Sequence, residues 1–197
     1  GCYGAGYVIS PSIDRLAKRG RMFERAYCQQ ALCNPSRASM LTGLRPDSLG
    51  IWNLPTHLRQ RRPGIVTLPQ HFRNNGYFTE CVGKIFHNWR QDIHGDPQSW
   101  SVPQFMHYAR HDDDKPRVEG KPPGNEIKLP RSTIRDVPDE AYFDGRIATR
   151  AIESLRGLKK NRKPFFLAVG FWKPHLPFNA PKRYWNLYDP AKVKLPE

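Results

Sequence analysis

The sequence predicts an α/β fold, because two helical patterns each lead directly into a strand pattern. The first helix opens at the capping-box pattern Thr67-Leu68-Pro69-Gln70 and ends at Asn75-Gly76, and residues 77–82 then have the pattern of a strand. The second helix, 142–160, is the longest periodic segment, and the apolar run 165–171 follows it after a basic turn. Helices that alternate with strands are typical of an α/β sheet.

Composition indicates a globular protein with many loops. A chain of 197 residues can bury a sizeable core, although only 38% of its residues are hydrophobic and 19 are proline. The longest apolar run, 165–172, is too short to cross a bilayer and is predicted to be a buried strand. The chain begins without methionine, so the sequence does not decide whether the protein has a signal peptide.

The formal net charge of +14 suggests a polyanionic partner. The basic residues are scattered, however, and the runs 59–62 and 159–163 are interpreted as solvated helix ends or loops. We therefore expect no nucleic-acid partner. The cysteines show neither a CxxC pair nor zinc-site spacing, which leaves the redox compartment open. They are Cys2, Cys28, Cys33 and Cys81.

The helix nearest the amino terminus is predicted to begin at Pro11, with Ser10 as its N-cap. Ile13, Leu16 and Ala17 repeat on one face of it. In the long helix, an apolar face is predicted to pack on the sheet. That face consists of Ile147, Ala151, Leu155 and Leu158.

The segment Cys33-Asn34-Pro35-Ser36-Arg37, continued by 38–43, has the residue types of an anion site. Pro35 suits the first turn of a helix, which would place Cys33 just ahead of the helix N-terminus. Arg37 lies about one turn further on, so its guanidinium could reach back to the same spot. Taken alone, Cys33 would be interpreted more simply as a buried structural thiol, and Arg37 as a surface charge. Their joint spacing favours the site.

Two further candidate pairs follow the predicted strands, where α/β folds place their sites. Lys84 and His87 come after the first strand, and Lys173 and His175 come after the second. Residues i and i+2 of an extended loop can point to one side together. Taken by themselves, Lys84 and His87 are more simply interpreted as ordinary polar residues. A loop histidine with satisfied hydrogen bonds is the alternative interpretation of His175, for which the site is favoured because the motif again follows a strand end.

The stretch between these pairs, from 88 to about 138, is polar and rich in proline, aspartate and glycine. Its Asp112-Asp113-Asp114 run could bind a cation, although an exposed loop is the simpler interpretation because the spacing fits no cation loop. Aromatic and methionine side chains are expected to anchor the stretch to the domain. They are Trp100, Phe105, Met106 and Tyr108.

These motifs together resemble the type I sulfatase family. Residues 33–43 match its CxPSRxxxLTG signature, residues 83–87 match its GKxxH element, and the block 2–27 is similar to its amino-terminal region. Residues 173–178 resemble the KPHxPF element of the iduronate-2-sulfatase branch. The elements occur in family order, and the resemblance is weakest over 91–135.

The resemblance implies an alkaline-phosphatase-like fold, with a mostly parallel central sheet and helices on both faces. Residues 1–197 would be part of one catalytic domain, truncated at both ends, with an irregular polar insert at 91–135. The implied reaction is hydrolysis of a sulfate monoester, of a sulfated sugar or polysaccharide such as a glycosaminoglycan. We expect no membrane span and an extracytoplasmic location, whether periplasmic, secreted or lysosomal.

The resemblance also implies the site chemistry. A formylglycine-generating enzyme would convert Cys33 to formylglycine, which would serve as nucleophile and as a calcium ligand. Arg37, Lys84 and His87 would be catalytic, and Lys173 and His175 would bind the substrate. The remaining calcium ligands would lie outside this chain, so the chain alone should be inactive.

Two alternatives stay open from the sequence. A formylglycine-dependent phosphonate monoester or phosphodiester hydrolase would share the fold and the nucleophile. A non-catalytic basic protein that binds polyanions would need neither.

Overall fold

The structure is a computed structural model that describes residues 1–107, 132–176 and 178–193. These residues form helices and two pairs of strands. The helices are α1 (Pro11–Arg19), α2 (Cys33–Thr42), α3 (Pro46–Leu49), α4 (Leu58–Arg61), α5 (Leu68–Asn74), α6 (Phe143–Asn161) and α7 (Lys182–Trp185), and the strands are β1 (Phe78–Gly83), β2 (Ser132–Arg135), β3 (Phe165–Gly170) and β4 (Phe178–Pro181).

Both strand pairs are parallel, as the α/β prediction requires. β1 pairs with β3 from Phe78↔Phe165 to Gly83↔Gly170, and α6 lies between them in the chain. β2 pairs with β4. The carboxyl ends of β1 and β3 therefore lie side by side, with Gly83 opposite Gly170.

Helices cover both faces of the β1–β3 pair, which confirms that part of the prediction. Alternate residues of a strand point to opposite faces. Cys81 and Ala168 belong to a core with Ala38 and Leu41 of α2. On the other face, Val82 and Leu167 pack in a second cluster, whose α6 members are Phe143, Ile147 and Ala151.

β3 is less buried than the predicted core strand. Phe165 and Val169 are both exposed, and so is Phe171 just beyond the strand. β1 is buried because β3 lies along one edge of it and the backbone of Phe105 lies along the other, where the Phe105 N–H donates to the Cys81 carbonyl at 3.0 Å. Among the described strands, β3 pairs only with β1, so its second edge is uncovered.

The predicted helices are confirmed, with two differences in burial. Leu155 of α6 is 47% exposed, and the neighbouring Ser154 is buried instead, where its hydroxyl donates to Glu80 Oε1 at 2.6 Å. α1 begins at Pro11 as expected, but Ile13 and Leu16 are 62% and 71% exposed. No described residue covers the apolar face of α1.

The prediction of a solvated basic run at 59–62 is wrong for Arg59. Arg61 and Arg62 are exposed, but Arg59 is buried in the short helix α4. Its guanidinium donates to both oxygens of buried Asp96, at 2.9 and 2.7 Å. A buried arginine needs such a paired partner, and the two residues are 37 positions apart in the sequence.

The polar insert predicted at 91–135 is tied to the body of the domain where the structure describes it. Trp100 is buried and packs edge-on against Phe86, with ring centroids 6.1 Å apart. Phe105 pairs with β1 and Met106 is half-buried, as expected for anchoring residues. Tyr108 and the Asp112–Asp114 run lie outside the described residues.

None of the helices in the described part of the chain combines the length and apolar character needed to cross a membrane.

Candidate active site

Cys33 is the first residue of α2, one position further into the helix than the sequence predicted. The helix start is fixed by Asn34, a buried side chain whose amide group donates to the carbonyls of Asn53 and Thr56 at 2.9 and 2.7 Å. At the other end, Gly43 adopts a left-handed conformation and ends the helix. Cys33 is thus held at the amino-terminal end of a well-anchored helix.

The ends of β1 and β3 approach each other very closely. The Lys84 N–H donates to the Gly170 carbonyl at 2.8 Å, and Gly83 has a positive φ of 81°. A Cβ on Gly83 would collide with the Gly170 carbonyl, and one on Gly170 would collide with the Lys84 carbonyl. Two glycines therefore let the chain turn out of β1 and place Lys84 beside the start of α2.

Lys84 contacts Cys33 directly. Its ammonium Nζ lies 3.8 Å from the Cys33 Sγ and 4.5 Å from the centroid of the Trp172 ring. Burial lowers the pKa of Lys84, and the charge of a Cys33 thiolate opposes that lowering. The nucleophile position predicted from the sequence therefore has a buried cation next to it.

Arg37 does not reach back to Cys33 in the way that the sequence suggested. Its Nη1 donates to the carbonyls of Lys84 and Ile85, at 2.9 Å each. The arginine therefore holds the backbone that carries Lys84. It also lies close enough for its charge to lower the pKa of both Lys84 and His87.

His87 is buried in this positively charged surrounding. Its pKa is lowered to about 4, first by burial and then by the charges of Lys84 and Arg37, with a smaller effect from His175 and an opposing contact from the Trp89 backbone. Neither ring nitrogen has a partner in good hydrogen-bond geometry within the described ranges. A neutral imidazole of this kind can donate one hydrogen bond and accept another from a bound group.

The second pair of predicted residues follows β3. The backbone N–H groups of Trp172 and Lys173 donate to the Asp144 carboxylate at 2.7 and 3.0 Å. The exposed His175 ring packs edge-on against Trp172, with centroids 6.3 Å apart. Lys84 and His175 therefore contact the same indole.

The sequence alone did not identify the contributions of Asp144 and Trp172. Asp144 could have been noticed as the acidic residue in the first turn of α6. No sequence pattern, however, indicates that its carboxylate binds a loop 28 positions away.

Calcium was expected at Cys33, and the described residues do not fit a calcium site by themselves. They contain no group of three or more His, Cys, Asp or Glu side chains that could hold a metal. Calcium takes six to eight oxygen ligands, whereas Lys84, whose side chain contacts Cys33, is cationic. What this arrangement can do by itself is attract and orient an anion.

The chain is similar to proteins of known family along nearly its whole length. The family model described as Sulfatase matches residues 1–192. The chain is 38% identical over 200 residues to an iduronate 2-sulfatase of Homo sapiens, covering 99% of this chain and 36% of that protein. It is 30% identical over 204 residues to a sulfatase of Formosa agariphila, covering 96% of this chain and 39% of that protein.

The fold is similar to that of a solved phosphonate monoester hydrolase of Agrobacterium radiobacter. The TM-score is 0.70 at 22% sequence identity, over 98% of this chain and 42% of that one. This likeness confirms the alkaline-phosphatase-like fold predicted above. The chain spans well under half the length of the relatives it matches.

Proposed function

The chain belongs to the sulfatase family, and we propose that it forms part of the catalytic domain of a sulfuric ester hydrolase. The observation that supports this best is the buried ammonium of Lys84, 3.8 Å from the Cys33 Sγ at the start of α2. A nucleophile position beside fixed positive charge suits attack on an anionic ester, because the negative charge that develops in the transition state is stabilised there.

Cys33 is the proposed nucleophile position, after conversion by a formylglycine-generating enzyme. The resulting formylglycine would supply a hydrate hydroxyl that attacks sulfur, and it would give a bound calcium ion one oxygen ligand. The described residues contain no group of three or more His, Cys, Asp or Glu side chains that could complete such a site. The roles of the residues around Cys33 do not depend on where the other calcium ligands lie.

Lys84 and Arg37 have different proposed roles. The Lys84 ammonium neutralises a sulfate oxygen next to the nucleophile. Arg37 holds the Lys84–Ile85 backbone through two hydrogen bonds and adds a second positive charge nearby. Such preorganised charges need no rearrangement when the transition state forms.

His87 is proposed to act as a neutral hydrogen-bonding group. With a pKa of about 4 it is uncharged near neutral pH, and within the described ranges neither ring nitrogen has a partner in good hydrogen-bond geometry. It can therefore accept a proton from a hydroxyl group or donate a hydrogen bond to a substrate oxygen. Lys173 and His175, on the neighbouring loop, are proposed to contact the substrate.

The proposed substrate is a sulfated sugar or polysaccharide. Two observations support it: the 38% identity to a protein named iduronate 2-sulfatase, and the net charge of +14, which favours a polyanion. An extracytoplasmic location belongs to the same proposal. So does the view that residues 1–197 form part of one domain.

Two measurements on the whole protein, isolated from its own source, test the proposal. Mass spectrometry of the peptide 31–37 should show formylglycine at position 33. An assay with an aryl sulfate and an aryl phosphate diester side by side should show preferential cleavage of the sulfate, and Cys33→Ala should abolish it.

Other results would point to the alternatives. Faster cleavage of the phosphate diester would indicate a related hydrolase on the same fold. An unmodified thiol, together with binding of a sulfated glycan that survives Cys33→Ala, would indicate a binding protein.

A further inference from the structure

One carboxylate binds the segment after β3 at two points. Asp144 lies in the first turn of α6, and each of its oxygens accepts one backbone N–H: Oδ1 from Trp172 at 2.7 Å and Oδ2 from Lys173 at 3.0 Å. Hydrogen bonds to a charged acceptor are stronger than those between neutral groups. The two bonds therefore fix both the position and the direction of this backbone.

The indole of Trp172 is the part of this segment that contacts the site. Its ring lies 4.5 Å from the Lys84 ammonium and packs edge-on against Phe143, at 5.4 Å between centroids. Its Nε1 is buried without a hydrogen-bond partner in the described part of the chain. The polar group of the indole therefore does not orient the ring, and the orientation depends on the backbone and on ring contacts.

We propose that Asp144 is a positioning residue that holds Trp172 against the Lys84 ammonium and directs the Lys173–His175 segment towards the substrate. The proposal rests on the proposed function, because Asp144 would position residues that belong to the same site. Asp144 itself contacts neither Cys33 nor Lys84 in the described structure. It acts through the backbone that it binds.

A simpler role for Asp144 makes a different prediction. An acidic residue in the first turn stabilises a helix through its dipole, by about 0.3 to 1 kcal/mol. That role predicts an effect on α6 and none on residues 172–175. Measurements on the loop and on the helix therefore separate the two roles.

The test compares wild type, Asp144→Asn and Asp144→Ala in the whole protein. Asparagine keeps the shape of the aspartate side chain, but its NH2 group would face one of the two backbone N–H donors and cannot accept a hydrogen bond from it. The matched control is Glu153→Gln, which removes the same charge from an exposed position of α6. Hydrogen exchange over 171–176, resolved to single amides by fragmentation in the mass spectrometer, separates the N–H groups of Trp172 and Lys173 from the others in the segment. Turnover of an aryl sulfate reports on the site.

We expect exchange at Trp172 and Lys173 to become at least about tenfold faster in both Asp144 variants, with exchange in α6 unchanged. We expect kcat/KM to fall about 10- to 100-fold, the range that corresponds to loss of hydrogen bonds to a charged group. Glu153→Gln should change neither quantity.

Unchanged exchange at these two amides would overturn the proposal. So would faster exchange accompanied by a kcat/KM equal to that of Glu153→Gln. If the wild-type protein cleaves no sulfate ester, the proposed function fails, and the exchange measurement then decides by itself whether Asp144 holds the segment.

Discussion

His87 combines burial with nearby positive charge, and both lower its pKa to about 4. Burial removes water from the charged imidazolium, and Lys84 and Arg37 repel it. The same surroundings would favour a bound sulfate. At the residue scale, burial and the neighbouring cations together keep the histidine neutral, and the same cations would attract the proposed anionic substrate.

The lowered pKa of His87 predicts that the free energy of unfolding depends on pH. An unfolded histidine titrates near 6.5, so between about pH 6.5 and 4 the unfolded state binds more protons than the folded state. The free energy of unfolding should therefore decrease as the pH falls through this range, by on the order of 3 kcal/mol from this residue.

The measurement is denaturant unfolding of wild type and His87→Gln at several pH values. Glutamine does not titrate, and every other ionisable group is shared, so the difference between the two proteins isolates His87. A difference that stays constant from pH 7 to 4 would contradict the assigned pKa.

The buried pair of Arg59 and Asp96 should be the most sensitive charged contact away from the site. Both side chains are buried, and Asp96→Ala would leave the Arg59 charge without its partner. We expect a loss of about 3 to 5 kcal/mol in the free energy of unfolding. Lys192→Ala, which breaks an exposed pair with Asp189, should cost less than about 1 kcal/mol. Equal effects of the two variants in thermal or denaturant unfolding would refute this ranking.

At the element scale, the site is built where two strand ends meet two helix starts. β1 leads into Lys84, and β3 leads into Trp172 and Lys173. α2 begins at Cys33, and α6 supplies Asp144 in its first turn. Parallel strands bring their carboxyl ends to one edge, which is why residues far apart in the sequence meet there.

The close approach of β1 and β3 makes Gly83 the most sensitive backbone position of this edge. In Gly83→Ala, the new methyl group would collide with the Gly170 carbonyl at a positive φ. We expect a loss of about 2 to 4 kcal/mol in the free energy of unfolding from overpacking and backbone strain. Aryl sulfate turnover should also fall, because a shift of the backbone at position 83 would move the next residue, Lys84, away from Cys33.

Gly157→Ala is the matched control. Gly157 lies on the exposed side of α6 with open space around it, so the same substitution should stabilise the protein by about 0.5 to 1 kcal/mol. If thermal unfolding shows that Gly83→Ala is as stable as Gly157→Ala, the strand ends are not as close as described.

At the scale of the whole molecule, the chain leaves apolar side chains uncovered at several places. They include Ile13 and Leu16 of α1, Phe165 and Val169 of β3, and Leu155 of α6. The relatives that the chain matches are more than twice as long as the matched region. The described residues also hold no group of three metal-binding side chains.

We therefore predict that a polypeptide of residues 1–197 alone does not hydrolyse sulfate esters, even with formylglycine at position 33. The assay is aryl sulfate turnover, with mass spectrometry to verify the conversion of Cys33 and circular dichroism to verify folding. The whole protein, prepared in the same way, is the positive control. Measurable turnover by the folded, converted polypeptide would contradict the prediction.

The sequence by itself determined the family, the candidate residues of the site, and the order of the elements α1, α2, α5, β1, α6 and β3. These depend on local patterns: the spacing within 33–43, the helical periodicity of 142–160, and the polar motifs that follow the strands. The Thr67 cap also explains why α5 begins where it was predicted, and helical periodicity explains the bounds of α6.

Only the tertiary structure decided what these residues contact. Arg37 binds carbonyls 47 and 48 positions away, and Asp144 binds amides 28 and 29 positions away. The burial of Arg59 likewise depends on a partner 37 positions further along the chain. The physical reason is that hydrogen bonds and burial depend on distance in space, and distant segments become neighbours only when the strands pair and the helices pack on them.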